Sequence, residues 1–369
     1  MRIGVLTSSR ADFGIYLPLL IELRKDIYFE TSLIVFGTHL SQQHGYTLHE
    51  IIENGFEPQY VFESVLFGDS PTDIAKTITA TFNQFDDFWS NNYQSFDLIL
   101  CLGDRYEMFA AVASGIPFGI KYCHIHGGET TEGAIDNIYR HSITLASHIH
   151  FTATDFFAER VKSLLGKNEN IFTAGSLSLD GVEKTSNLSE IEFFEKWKVD
   201  LRTPTVLVTV HPETVAFENV ESHSNELSRT LIELSEKYQI IITMPNADTN
   251  NNLIRSMIEK NLRSLDNFFI FENLGKQNYF TAMKFCSFLL GNTSSGIIEA
   301  ASFNKYVIDL GERQKGRLIS DNVFHANYIF EEIMNCVKKI KNNNYIFTGE
   351  NIYFKKDVVV NIINILKSL

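Results

Sequence analysis

Short runs of β-branched and other apolar residues alternate along this chain with longer stretches in which apolar side chains recur every three or four positions. The runs at 3–7, 31–36, 97–102, 118–125 and 150–153 predict buried parallel strands, with helical segments between them. The same rhythm resumes at 206–210, 240–244, 268–271, 288–290 and 306–309. A strand–helix alternation that occurs in two series predicts an α/β fold of two doubly wound, Rossmann-like domains facing across a cleft. Between the series, Thr173-Ala174-Gly175-Ser176-Leu177-Ser178-Leu179-Asp180 is rich in small residues and marks the crossover. The expected domains are therefore 1–174 and 175–355, with 356–369 as a C-terminal helix packing back across them.

Length agrees with this division. The chain has 369 residues, whereas single hydrophobic cores stop growing at roughly 250 to 300. Its 44% hydrophobic and 21% charged residues are those of an ordinary globular protein. The net charge of -13 repels polyanions and gives nucleic acid no footing, while leaving room for a local cationic pocket. The apolar start breaks at Thr7-Ser8-Ser9-Arg10, too soon for a signal peptide, and no run reaches membrane-spanning length. Four cysteines without a C-x-x-C spacing read as reduced core thiols, which fits the cytoplasm.

In open α/β sheets ligands bind beyond the carboxyl ends of the strands, so chemistry is expected in the strand-to-helix loops. Polar motifs do cluster there. Two readings fit Ser9-Arg10-Ala11-Asp12: Arg10 holds a phosphate, or Asp12 caps the helix and pairs with Arg10. In Gly103-Asp104-Arg105-Tyr106-Glu107, Asp104 is either a catalytic carboxylate or the N-cap of a capping box closed by Glu107. His124-Ile125-His126-Gly127-Gly128-Glu129 sets paired glycines, which let backbone approach a ligand, before a carboxylate able to take a proton. The H-x-H-x-x-E spacing also suits a metal, although no cysteine pair or second histidine cluster accompanies it. Asp136 precedes Arg140 by one helical turn, as a structural ion pair or as a third active carboxylate.

In the second series, His211-Pro212-Glu213-Thr214 brings an imidazole to a strand end. Gly291-Asn292-Thr293-Ser294-Ser295-Gly296 opens a helix and offers N–H groups and hydroxyls to an anion; a plain serine N-cap accounts for only one of its two serines. Glu299, further along that helix, suits a ribose hydroxyl pair. The cationic loop Gly311-Glu312-Arg313-Gln314-Lys315-Gly316-Arg317 suits a diphosphate in an otherwise acidic protein.

Taken in order, S-R-A-D, G-D-R-Y-E, H-I-H-G-G-E, D-N-I-Y-R-H, H-P-E-T, N-A-D, G-N-T-S-S-G-I-I-E and E-R-Q-K-G-R resemble the hydrolysing UDP-N-acetylglucosamine 2-epimerases of bacterial sialic-acid pathways. The match runs from Ser9 to Arg317. This resemblance implies a GT-B-like fold, no metal or other cofactor, and a homodimer that takes a UDP-sugar and releases UDP. It assigns catalysis to Asp104, Glu129, Asp136 and His211. Binding of the UDP-sugar falls to Arg10, Asp12, Arg105, Asn246, Ser294, Ser295, Gly296, Glu299 and Arg313. Asp136-Asn137 departs from the pair of acids common in that family. The first loop also lacks the R-P-E-x-x-K of the non-hydrolysing relatives, with Ile15 at the lysine's place, which favours the hydrolysing branch.

The expected reaction converts UDP-N-acetylglucosamine and water to N-acetylmannosamine and UDP, by elimination to a glycal and then hydration. Relatives in legionaminic-acid pathways take a 2,4-diacetamido-2,4,6-trideoxy sugar on the same nucleotide, and the sequence does not name its sugar pocket. A retaining glycosyltransferase of the same architecture would need an acceptor pocket. A silent sugar-nucleotide sensor would gain nothing from three carboxylates near a dianion.

Overall fold

The computed structural model describes residues 1–42, 45–64, 68, 70–182, 188–213, 220–245 and 251–369. The chain forms two compact units. The first comprises Met1–Glu129, Asp136–Gly181 and Tyr353–Leu369; the second comprises Thr130–Ile135 and Val182–Ile352.

The first unit holds β1 (Arg2–Thr7), β2 (Glu30–Phe36), β3 (Tyr60–Phe62), β4 (Leu98–Leu102), β5 (Tyr122–Ile125), β6 (Ile149–Thr152) and β7 (Ile171–Thr173). They form one parallel sheet in the order β3-β2-β1-β4-β5-β6-β7. Its helices include α1 (Arg10–Lys25), α2 (Leu48–Glu53), α3 (Pro71–Asn92), α4 (Tyr106–Gly115), α5 (Asp136–Ala146) and α6 (Asp155–Leu165). Strand β4, Leu-Ile-Leu-Cys-Leu, is buried at every position, as a parallel strand covered on both faces must be. Helix α1 starts where Ser9 takes up an extended conformation and its hydroxyl accepts the Asp12 amide. Helix α3 starts on a capping box between Ser70 and Asp73, with Pro71 at its first position.

The second unit holds α7 (Glu190–Trp197), β8 (Thr205–Thr209), α8 (Val220–Ser235), β9 (Gln239–Thr243), α9 (Asn251–Asn261), β10 (Phe268–Phe271) and α10 (Gly275–Phe285). It continues through β11 (Phe288–Gly291), α11 (Ser294–Ile298), β12 (Val307–Leu310), β13 (Val323–Ala326) and α12 (Phe330–Asn342). The sheet is again parallel, in the order β10-β9-β8-β11-β12-β13. Strand order therefore reverses between β1 and β4 in one sheet and between β8 and β11 in the other, and such switch points are where these sheets place ligands. The inserted segment Thr130–Ile135 joins this unit through backbone: Glu132 N–H donates to Lys315 O at 2.8 Å.

The final helix, α13 (Val358–Ser368), belongs to the first unit. Its Val358, Val359, Ile362 and Leu366 share a core with Phe13, Tyr16 and Leu20 of α1. The opposite face of that sheet buries Phe36, Phe85, Trp89 and Tyr122. One expected strand was too long: Ile116–Phe118 forms a 3-10 turn ended by Gly119 at φ 69°, and strand pairing begins only near Tyr122. Strands β3, β7 and β13 are edge strands of three or four residues, too short to show a period. All four cysteines are free and buried. Among the described residues no helix is long and apolar enough to cross a membrane.

Candidate active site

At the end of β1, Asp12 is 4% exposed, and its Oδ2 accepts from Ser8 N–H at 2.9 Å and Ser8 Oγ at 2.7 Å. This carboxyl group therefore shapes the turn into α1. Burial raises its pKa, against the opposing pull of Arg105. Arg10 is the first residue of α1 and is half-buried.

The capping-box reading of Asp104 does not hold, because helix α4 begins one residue later than that box requires. Its N-cap is Arg105, without a side-chain cap bond, and Glu107 is fully buried in an ion pair with Arg105 at 2.9 Å. Asp104 instead pairs through Oδ2 with Nη2 of Arg140. Arg140 is 2% exposed, and its Nη1 donates to Glu129 O at 3.2 Å. One buried guanidinium thus ties the loop after β4 to the loop after β5. Glu129 is itself buried, and Asp136, half-buried, opens α5, the helix that carries Arg140.

The two histidines before Glu129 have other duties. His124 Nε2–H donates to Gly103 O at 2.8 Å, and its Nδ1 meets Thr144 Oγ1 at 3.0 Å. His126, at φ 64°, accepts the Leu177 amide on Nε2 at 3.0 Å. Burial is the main cause that pushes His124 down to about 4, so its ring is neutral near pH 7. Among the described residues no group of three or more histidine, cysteine, aspartate or glutamate side chains could hold a metal ion.

In the second unit, His211 follows β8 and is 6% exposed. Its peptide is clamped by Asn292, which follows β11: Oδ1 accepts His211 N–H at 2.7 Å, and Nδ2 donates to His211 O at 2.9 Å. His211, Glu213, His223 and Tyr328 line a small cavity of about 10 Å³, room for one water. The serine N-cap reading is also replaced: Thr293 is the N-cap of α11, and its Oγ1 accepts Ser295 N–H at 3.4 Å. Ser294, exposed, and Ser295, half-buried, occupy the first two helical positions, followed by buried Gly296. Glu299 ends that helix and is 7% exposed. Arg313 Nη1 donates to Pro212 O at 3.0 Å, and Glu312 N–H donates to Glu213 Oε1 at 2.7 Å. Gly311 has φ 67°, and a Cβ there would overlap Glu213 Oε1. Asn246 and Thr214 lie outside the described residues.

Four residues join these groups that motif spacing does not reveal. Arg140 was legible only as a partner for Asp136. Buried His39 meets Thr7 Oγ1 through Nε2 and Thr47 Oγ1 through Nδ1, both at 2.9 Å. Tyr279 hydrogen-bonds Thr209 and Ser295 and lies near Glu299; burial is the main cause that raises its hydroxyl to about 12. Asn292 stood within Gly291-Asn292-Thr293-Ser294-Ser295-Gly296, where the serines and glycines, not the amide, carried the anion reading.

Two parallel-sheet units of this kind in one chain define a GT-B-like protein. The chain belongs to the UDP-N-acetylglucosamine 2-epimerase family, whose sequence profile matches residues 21–367. Polysialic acid biosynthesis protein P7 of Escherichia coli is 30% identical over 374 residues, covering 99% of this chain and 93% of that protein. The GDP/UDP-N,N'-diacetylbacillosamine 2-epimerase (hydrolyzing) of Campylobacter jejuni is 31% identical over 329 residues, 88% of this chain and 84% of that one. The crystal structure of the UDP-GlcNAc 2-epimerase from Neisseria meningitidis bound to UDP-GlcNAc matches over 100% of both chains, with a TM-score of 0.83. At 16% identity that likeness concerns the fold.

Proposed function

We propose that this chain is a hydrolysing UDP-sugar 2-epimerase, converting UDP-N-acetylglucosamine and water to N-acetylmannosamine and UDP. The observation that carries the reading is the junction at Arg140, which holds the Asp104 carboxylate and the backbone of buried Glu129 at neighbouring strand ends. The name of the Campylobacter jejuni relative, a hydrolysing 2-epimerase, supports it.

The hydrogen on carbon 2 of the sugar is not adjacent to a carbonyl, so its removal must accompany departure of UDP. The C2–H electron pair becomes the C1–C2 double bond, and the C1–O pair leaves with UDP. Arg10, Arg105, His211, Ser294, Ser295, Gly296 and Arg313 hold the diphosphate and the charge that develops on it. Such preorganised donors are worth roughly 3 kcal/mol each. Glu299 and Asn246 hold the nucleoside, and Asp12 keeps the first loop in shape. Asp104, Glu129 and Asp136 supply the base and acid groups, which must reach both faces of the ring. Water then adds to carbon 1 of the glycal while a proton enters carbon 2 from the face opposite to the one it left. The scheme uses no metal or redox cofactor.

A second reading keeps the chemistry and changes the sugar to the 2,4-diacetamido-2,4,6-trideoxy analogue; the diacetylbacillosamine in the name of the Campylobacter jejuni relative favours it. One experiment orders these readings and the transferase alternative. The chain is incubated with each UDP-sugar in deuterated water without an acceptor. Free UDP and a mannose-configured sugar carrying deuterium at carbon 2 are expected from UDP-N-acetylglucosamine. Turnover of the diacetamido sugar alone would select the second reading. UDP release that requires an added acceptor would select a transferase, and product without deuterium at carbon 2 would remove the proton-abstraction route.

A further inference from the structure

We infer that Asn292 is a positioning residue that fixes the UDP-holding loops of the second unit as one body. The inference rests on the reading that this unit holds UDP. Asn292 is completely buried, and every polar group of its side chain and backbone is bonded to a segment other than its own: the end of β8, the Gln314 loop or Tyr328. Its backbone N–H donates to Thr209 O at 3.2 Å, which joins the ends of β8 and β11. The side-chain amide brackets the His211 peptide with two opposed bonds, 2.7 and 2.9 Å long. Nδ2 also donates to Tyr328 Oη at 3.2 Å, beyond β13. Its carbonyl accepts Gln314 Nε2 at 2.7 Å, one residue after Arg313, while Arg313 donates to Pro212 O, one residue after His211.

The chemistry of a primary amide suits this task. It donates and accepts at once without carrying charge, so it can satisfy both the N–H and the C=O of a buried residue that follows the strand's end. An aspartate would keep the acceptor for His211 N–H but would turn a carboxylate oxygen towards His211 O. An alanine would leave both peptide groups and the Tyr328 hydroxyl without this partner. Asn292 is also followed directly by Thr293, Ser294 and Ser295, so a shift of its backbone moves the hydroxyls proposed to meet phosphate.

Asn292→Ala and Asn292→Asp are compared with Ile340→Ala, a fully buried core change in α12. UDP affinity, melting temperature and amide hydrogen exchange at His211 are measured on the whole chain. Asn292→Ala is expected to weaken UDP binding by about tenfold or more and to release the His211 amide to exchange. Asn292→Asp should weaken binding less and keep that amide protected. Ile340→Ala should lower the melting temperature and leave UDP affinity unchanged. Unchanged UDP affinity in both Asn292 variants would overturn the inference, as would an equal loss of affinity in Ile340→Ala at a matched loss of melting temperature. If Asn292→Ala does not fold, the Asp variant decides. A wild-type chain that binds no UDP would instead remove the functional reading, and His211 exchange in the Asn292 variants would then decide whether the residue positions its loop.

Discussion

The two units share a strand order about their switch points, β3-β2-β1-β4 and β10-β9-β8-β11, yet they fix their strand-end loops by opposite means. In the first unit the fixing group is a charge, the Arg140 guanidinium against Asp104. In the second it is a neutral amide, Asn292 around the His211 peptide. A buried ion pair leaves a costly uncompensated charge when either partner is removed, whereas removing an amide leaves unpaired dipoles. The contrast fits the proposed division of labour, in which the acid and base carboxylates all lie in the first unit and most of the groups that hold the diphosphate lie in the second.

The largest expected effect tests that division. Asp104→Asn or Glu129→Gln should lower turnover by ~100- to 10,000-fold, the usual contribution of a positioned acid or base. UDP affinity, measured by calorimetry, should stay at the wild-type value. Loss of UDP affinity in parallel with turnover would break the comparison at its root.

Histidine burial gives the next effect. His39 and His124 of the first unit are pushed down to about 3 and about 4, chiefly by burial, from an unfolded value of 6.5. Both therefore contribute stability that is fully present above pH 6.5 and lost as pH falls towards those folded values. Each should cost about 2 kcal/mol at pH 5 relative to neutral pH. The chain has one tryptophan in each unit, Trp89 and Trp197. With Trp197→Phe, the fluorescence of Trp89 should report acid unfolding at a higher pH than Trp197 reports in Trp89→Phe. Coincident midpoints would show that acid lability is not confined to the first unit.

A smaller effect is expected from the second unit's cation. Arg313→Ala removes a charge-assisted donor and should weaken UDP binding by about tenfold to a hundredfold. Turnover at saturating substrate should fall less than in Glu129→Gln. The reverse ranking would exchange the roles of the two units.

How much of this was legible depends on whether a feature is local. Ten of the strands announced themselves as apolar runs, because a sheet covered on both faces needs nearly every position apolar. The edge strand Tyr60–Phe62 did not, since three residues carry no period. Motifs at strand ends were visible for the same local reason. Their tertiary partners were not: Arg140 lies one helical turn beyond Asp136, so spacing paired it with that residue, whereas folding brings Asp104 to it from 36 positions away. Asn292 reaches His211 across 81 positions, and His39 reaches Thr7 across 32. The cap alternatives at the starts of α4 and α11 fail, because Asp104 and Ser294 look like caps locally while the helices choose Arg105 and Thr293.

The smallest expected effect carries the opposite sign to the histidines of the first unit. His325, on β13, has its pKa raised, first by the Asp309 carboxylate 3.7 Å from Nδ1, against desolvation, with further help from Glu312 and Glu332. Asp309 is not lowered in return, because its own burial outweighs the pull of His325. A raised folded pKa means that His325 contributes stability fully present below about pH 6.5 and lost as pH rises through the folded value. Its side chain is 46% exposed, so solvent screening holds the contribution below about 1 kcal/mol. His325→Gln should therefore cost a little stability at pH 6, nothing measurable at pH 8.5, and less in high salt than in low salt. Urea unfolding followed by Trp197 in a Trp89→Phe background reads this directly. A loss that grows towards pH 8.5 would reverse the sign, and with it the role given to the Asp309 carboxylate beside His325.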